Sequence, residues 1–386
     1  MKQGMTFPLD KFGSLPTPFF YYDTERLQDT LEEATRQAGK LGYHIHYALK
    51  ANSNDKILRS ISRLGYGADC VSGNEIKKAA ESGFPARSIF FAGVGKSDTE
   101  IITALEHNIG CFNCESIPEM EVINHLAGRC EEKAPVAIRI NPNVDAHTHH
   151  YITTGLEENK FGINAWELDE VLNRLKTLKN LELKGLHFHI GSQITDLEIF
   201  KGLCLRINEF QEWFFDHKII VDMINVGGGW GVDYQDPDRQ YVPDFEAFFS
   251  IFKEFLHLRP KQSLHFELGR ALVAQSGSLI SRVLYVKNGV NTRFAILDAG
   301  MTELLRPALY QSFHKIENLT STGSLGKYHV VGPVCESSDT FGKAVPLPPT
   351  RRGDLIAIRS TGAYGEVMSS QYNLRDRAPA YYSDEL

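Results

Sequence analysis

A lysine, a run of three glycines and a glutamate close segments of the chain that read as β-strands. Lys50 ends YHIHYALK (43–50), just ahead of the turn-forming Asn-Ser-Asn. Gly227, Gly228 and Gly229 lie in MINVGGGW (223–230), and Glu267, Gly269 and Arg270 in SLHFELGR (263–270). Asp69 lies in YGADCVS (66–72) and Arg139 in VAIRINPN (136–143). His187, His189, Gly191, Ser192 and Gln193 follow one another in KGLHFHIGSQ (184–193). The Lys50 amine is a nucleophile for carbonyl chemistry. Consecutive glycines let backbone N–H groups approach a phosphate without interference from a Cβ. Ser192 offers the same anion a hydroxyl, and Arg270 a charged fork. Each residue also has a plainer reading: a strand end facing water, a tight turn, a structural histidine pair.

An amine, an anion cradle and a carboxylate for a ring nitrogen are together what pyridoxal phosphate requires of a protein. His189 can then lie flat against the ring. A zinc site is the competing reading, with His187 and His189 completed by His147, His149 and His150. It leaves Lys50 and the glycines without a role. The C-x-x-C at 111–114 has no second pair and falls inside a strand-like run, so it reads as core packing.

Positioning these groups requires a scaffold that brings many strand ends together. Eight β-like runs begin at 43, 66, 88, 109, 136, 184, 223 and 263. Helix-like segments alternate with them, among them DKILRSISRLG, NEIKKAAESG, WELDEVLNRLKTL (166–178) and LEIFKGLCLRINEFQEWFF (197–215). Ser72 with Glu75, and Ser97 with Glu100, have capping-box spacing. This alternation predicts a (β/α)8 barrel over 24–271, whose active site lies at the C-terminal ends of the strands. A doubly wound open sheet is the rival. After Arg270 the strands SLISRVLYVKNG, TRFAILDAG, GKYHVVGPVCE and DLIAIRSTGAY have few helices between them. They predict a mostly antiparallel β-sandwich or barrel over 272–386, joined by residues 1–23 through PTPFFYYD (16–23). The long connection 145–162 is expected to cover the site or a dimer interface.

The 386 residues carry a net charge of −7, which argues against a nucleic-acid or anionic-membrane surface. The start, MKQGMTFPLDKF, lacks the apolar stretch of a signal peptide, and no apolar run spans a bilayer. The irregularly spaced Cys70, Cys111, Cys114, Cys130, Cys204 and Cys335 read as reduced thiols, as expected in the cytoplasm.

Seven segments in order, YALKANSN, HFHIGSQI, NVGGGWG, FELGRALVAQSG, DAGMTELLRPALY, VVGPVCESSDTF and GAYGEVMSSQYN, resemble the fold-type III pyridoxal-phosphate-dependent decarboxylases. The resemblance runs nearly end to end and is greatest to members acting on meso-diaminopimelate. It implies that Lys50 carries the cofactor as a Schiff base, that His189 stacks on its ring, and that Glu267 pairs with the pyridine nitrogen. Ser192, Gly227, Gly228, Gly229, Arg270 and Tyr364 would surround the phosphate, with Asp69, Arg139 and Gly269 nearby. Arg306, Tyr310 and Glu336 would contact substrate, together with Arg270 and Tyr364. Cys335, entering with Glu336 from a partner subunit, would protonate the product carbon, which implies a homodimer. Leu268 and Trp230 depart from the usual family residues. Same-fold alternatives are a decarboxylase of carboxynorspermidine or of a basic amino acid, and a racemase. A different class is a non-catalytic regulator.

Overall fold

The computed structural model describes residues 5–144 and 160–386. His147, His149, His150 and nearly all of the 145–162 connection lie outside the described residues. Contacts divide the chain into two units: one of Met1–Leu31, Val232–Pro243 and Arg270–Leu386, the other of Glu32–Gly231 and Asp244–Gly269.

The second of these is a closed barrel of eight parallel strands. After β1 (Phe19–Tyr22), which belongs to the other unit, the barrel strands run in chain order. They are β2 (His44–Ala48), β3 (Gly67–Cys70), β4 (Ile89–Phe91), β5 (Cys111–Cys114), β6 (Ala134–Arg139), β7 (Leu181–His187), β8 (Met223–Asn225) and β9 (Ser263–Leu268). β9 closes the ring on β2, with His46 opposite Glu267. The strands are short, and β3, β5 and β6 are wholly buried because both faces are covered, as parallel sheets require.

Helices form where the apolar residues recur at helical spacing and a cap fixes the start. In Asp55–Ser62 the buried residues are Ile57, Leu58 and Ile61, and the Asn54 side chain accepts the Lys56 N–H. Ser97 and Glu100 make a complete capping box at Asp98–Glu106. Ser72 instead makes half of one, since Glu75 reaches back to the Val71 N–H. WELDEVLNRLKTL is shorter than its pattern suggests: a 3-10 turn at Ala165–Glu167 precedes a helix at Leu168–Leu175.

The barrel interior is layered. Phe90, Cys111, Ala137 and Met223 form an apolar layer. Two residues beyond Cys111 and Met223, Asn113 and Asn225 form a polar layer with Glu267 of β9, joined by His187. Cys111 and Cys114 are buried in β5, and burial pushes both thiols up.

The other unit is built on β10 (Gly277–Asn288), a strand long enough to be shared by several neighbours. It pairs antiparallel with β1, with β11 (Arg293–Leu297) and with β15 (Leu355–Arg359). β12 (Ile316–Asn318), β13 (Gly326–Val331) and β14 (Thr340–Leu347) extend the sheet. The pairs β11–β13 and β1–β16 (Ala380–Tyr382) are parallel. Phe12, Phe19, Tyr21 and Ile280 fill one core, with Phe12 and Phe19 edge to face at 5.1 Å. Truncating a ring of this kind to alanine costs about 3–5 kcal/mol.

The segment 232–243 is fixed to this unit by charge. The Asp238 carboxylate accepts from Arg26 at 2.8 Å, from Arg359 at 2.8 Å and from the Met5 N–H at 3.1 Å. Glu317 holds the other side of Arg359 at 2.6 Å.

Candidate active site

Lys50 leaves the barrel wall because β2 ends at Ala48 and Leu49–Ala51 make a single 3-10 turn. That turn carries Nζ to 3.2 Å from Asp69 Oδ2, with the Lys50 side chain 37% exposed and Asp69 fully buried. Burial and the nearby Glu267 push the Asp69 carboxyl up to about 7, and Lys50 pulls the other way.

Glu267 is the centre of the polar layer. Its Oε1 accepts from Asn113 Nδ2 at 2.9 Å and from Asn225 Nδ2 at 2.8 Å, and its Oε2 from His187 Nε2 at 3.1 Å. Burial opposes its ionisation, but His187 and Lys50 outweigh it and hold the carboxyl well below the usual range. A carboxylate has about four acceptor positions. Three are filled here, so one on Oε2 is left for an N–H that no described residue supplies.

The glycine run is compact because its neighbours leave no room. A Cβ on Gly227 would lie 2.3 Å from the Phe188 carbonyl oxygen, and one on Gly228 would lie 2.0 Å from that of Glu267. The Gly227 N–H donates to Asn225 Oδ1 at 2.9 Å, and the Gly228 N–H to His189 Nδ1 at 3.2 Å. Burial and the positive charges of Arg139 and Lys50 push the His189 imidazole well down, so its Nδ1 is a lone pair. Gly229, at φ +100°, is therefore the first glycine of the run whose N–H is available to an anion. Gly269 fits against Ala48 and Ala51, where a Cβ would meet the Ala51 methyl at 2.9 Å. Ser192 is half-buried just past Gly191. Arg139, at the end of β6, is paired with Glu115 at 2.7 Å and stacked on Phe161. That pairing makes Arg139 a buried support as placed.

Leu268 and Trp230 are packing residues. Leu268 is buried opposite Tyr47, and Trp230 stacks on Phe248 at 5.0 Å with Phe200 at its edge.

In the other unit Arg270, Arg306 and Tyr364 form a second group. The Tyr234 oxygen accepts from Arg270 at 2.7 Å and from Arg306 at 3.0 Å. Tyr364 takes a left-handed φ of 58° and sets its ring 4.8 Å from the Arg270 guanidinium. Tyr310 ends the short helix Arg306–Tyr310 and is partly exposed. Cys335 and Glu336 are exposed at the tip of a loop that is itself fixed. The buried Asp339 carboxylate accepts the N–H groups of Val334 at 2.7 Å and Met301 at 2.6 Å. Glu336 accepts from the Tyr372 hydroxyl at 2.7 Å.

Tyr234, His314, Asn113 and Asn225 escape the sequence reading. Asn225 carried a signal, standing two residues before Gly227. His187 reads in the sequence as half of a histidine pair, whereas in the fold it is a partner of Glu267.

Residues 25–274 match the family model described as the pyridoxal-binding domain of pyridoxal-dependent decarboxylases. The chain belongs to the pyridoxal-dependent decarboxylase family. Members of this family use pyridoxal phosphate, and the barrel residues fit it. There is an amine for its carbonyl, a charged carboxylate with one open acceptor for its ring nitrogen, and an amide at Gly229 for which the described residues give no acceptor. The chain is 58% identical to diaminopimelate decarboxylase of Bacteroides thetaiotaomicron, over 98% of this chain and 99% of that one. It is 42% identical to the enzyme of that name from Helicobacter pylori, over 95% and 90% of the two chains. The crystal structure of the Helicobacter pylori decarboxylase complexed with L-lysine superposes with a TM-score of 0.90 at 40% identity, covering 98% and 94%. A lysine/ornithine decarboxylase from Vibrio vulnificus shares the fold at 20% identity, with a TM-score of 0.84 over 97% and 96%. As a decarboxylase of this family the chain is a carboxy-lyase. Among the described residues no helix is long and apolar enough to cross a membrane.

Proposed function

We propose that the chain converts meso-2,6-diaminopimelate to L-lysine and CO2, the last step of lysine synthesis, in the cytoplasm and as a homodimer. The observation that carries this reading is the buried Arg306. It is 5% exposed, and among the described residues it hydrogen-bonds to a tyrosine and a histidine, with no carboxylate within ion-pair range. A site for ornithine or lysine needs an anion at the far end of its substrate. Diaminopimelate ends there in both an ammonium and a carboxylate, so it needs a cation as well. Arg306 supplies the fork for the carboxylate and Glu336 the charge for the ammonium.

Bound pyridoxal phosphate supplies an electron sink for the pair of electrons left when the α-carboxylate departs. Lys50 would hold the cofactor through its amine. Asp69, poised to exchange a proton near neutrality, sets the charge on Lys50 Nζ. Glu267 stays charged and keeps a proton on the ring nitrogen. His189, uncharged, presents its ring without adding positive charge. Gly229 and Ser192 hold the phosphate. Cys335 of the second subunit gives its Sγ proton to the α-carbon, and its exposure in one chain agrees with service to another.

Purified protein loaded with pyridoxal phosphate is to be assayed for CO2 and lysine from meso-diaminopimelate. Ornithine, lysine, arginine and carboxynorspermidine are tested in parallel. Lysine from diaminopimelate, with little CO2 from the others, is the expected result. Preferred turnover of a basic amino acid overturns the substrate, and racemisation without CO2 overturns the reaction.

A further inference from the structure

Arginines in the unit that holds Arg306 are treated in two ways. Arg359, 2% exposed, is neutralised by Asp238 at 2.8 Å and Glu317 at 2.6 Å. Arg26 is held by Asp238 at 2.8 Å. Arg306 is as buried as these, yet its partners are the Tyr234 oxygen at 3.0 Å and His314 Nε2 at 2.9 Å. Neither partner is a carboxylate; burial pushes the Tyr234 phenol up, but Arg270 and Arg306 outweigh it and pull the phenol down from its ordinary range. His314 Nδ1 donates to the Arg359 carbonyl at 2.8 Å, which fixes the tautomer and leaves Nε2 as a lone pair aimed at Arg306. Burial and the adjacent Arg306 push the His314 imidazole down to about 3, so it stays an acceptor. Tyr234 accepts from Arg270 as well, at 2.7 Å, and its ring lies 4.9 Å from the Arg306 guanidinium.

Two guanidinium groups are thus fixed on one phenolic oxygen. Charges of the same sign so close together in a buried place need an anion. A carboxylate partner from the protein would satisfy Arg306 permanently and close the place to a ligand. Acceptors that are not carboxylates hold the fork in position and leave it open to a carboxylate ligand.

We propose that Tyr234 and His314 are positioning residues that hold Arg270 and Arg306 as a single receptor for the substrate carboxylate that is retained in the product. The inference rests on the diaminopimelate reading and adds to it the residues that set the specificity.

The test compares L-lysine, the proposed product, with cadaverine, which lacks only the carboxylate. Their binding to the pyridoxal-phosphate-loaded protein is measured by calorimetry, which needs no turnover. Tyr234→Phe keeps the ring and removes the shared oxygen. His314→Leu removes the second acceptor, and His314→Gln restores it through an amide oxygen. Tyr234→Phe and His314→Leu are each expected to weaken L-lysine roughly tenfold and cadaverine less than about twofold. His314→Gln is expected to recover most of the loss. In steady state, KM for diaminopimelate should rise by a similar factor with kcat nearly unchanged. Equal weakening of both ligands, or of neither, overturns the proposal. Should Tyr234→Phe fail to fold, the two His314 variants decide. Wild-type protein that binds L-lysine selectively but releases no CO2 from diaminopimelate refutes the proposed function and leaves the receptor standing.

Discussion

Asn225 ties Glu267 to the glycine run. Its Nδ2 donates to Glu267 Oε1 at 2.8 Å while its Oδ1 accepts the Gly227 N–H at 2.9 Å. One side chain thus fixes both the carboxylate proposed to face the cofactor ring and the start of the loop proposed to hold its phosphate. Asn225→Leu removes both bonds within a buried layer. A hydrogen bond to a charged group is worth about 1.5–3 kcal/mol, and the protein should lose at least that much in urea denaturation. The variant should also shed its yellow cofactor on dialysis under conditions where the wild type keeps it. Retention of both stability and colour would contradict this role.

Asp69 gives a pH dependence of definite sign. Its carboxyl is at about 7 in the fold against 3.8 when exposed. Between those values the folded chain binds the proton more tightly than the unfolded one. Stability of the cofactor-free protein from this group therefore falls as pH rises from about 4 to about 7. Asp69→Asn should remove that fall, so its melting temperature should gain on the wild type across the window and stay level above it. Parallel melting curves would count against the assignment.

The glycine geometry separates backbone from composition. Gly228→Ala would place a methyl 2.0 Å from the Glu267 carbonyl oxygen, so the backbone must move. A loss of about 3 kcal/mol or more is expected, together with the cofactor. Gly39 has open space around its Cβ position and lies within the helix Thr24–Leu41. Gly39→Ala should stabilise by about 0.5–1 kcal/mol. Thermal unfolding of the two variants checks both signs.

A histidine pair at the start of the barrel strands predicts acid sensitivity. His46 Nε2 and His265 Nδ1 are 2.8 Å apart, and His46 Nδ1 donates to the Ser88 carbonyl at 3.1 Å. Burial pushes His46 down to about 4 and His265 to about 2, from an ordinary 6.5. The unfolded chain then binds more protons, so their contribution is complete above about 6.5 and is lost as pH falls toward 4 and below. The stability of His265→Leu should fall less steeply than the wild type over that range. An unchanged slope would show that the acid loss arises elsewhere.

The barrel was legible because its strands are short and mostly apolar, the first of them recur at nearly equal spacing, and the candidate groups stand at or just past their ends. Lys50 was conspicuous for the same reason, as a charge closing a buried run. β14 was not legible, since TFGKAVPL contains Gly, Lys and Pro and half of it faces outward. Three-residue strands such as β12 and β16 carry too few positions for a period to register. Tyr234 and His314 were hidden for a different reason. Their role depends on arginines 36 and 72 positions from Tyr234 and 8 from His314, which only the fold brings to them. The same holds for Asn113, which reaches Glu267 across 154 residues. Nor does sequence show that Gly227 and Gly228 use their amides internally.

Arg306, buried and without a described carboxylate partner, is proposed to select a substrate with a second carboxylate. The most direct test of this selection is kcat/KM for meso-diaminopimelate and for L-lysine as substrates, in wild type and Arg306→Ala. The wild type should favour diaminopimelate by several orders of magnitude. Arg306→Ala should lose roughly a hundredfold or more on diaminopimelate and change little on lysine, in keeping with the loss of a buried charge-assisted pair. Equal losses on both substrates, or none on diaminopimelate, would contradict the account.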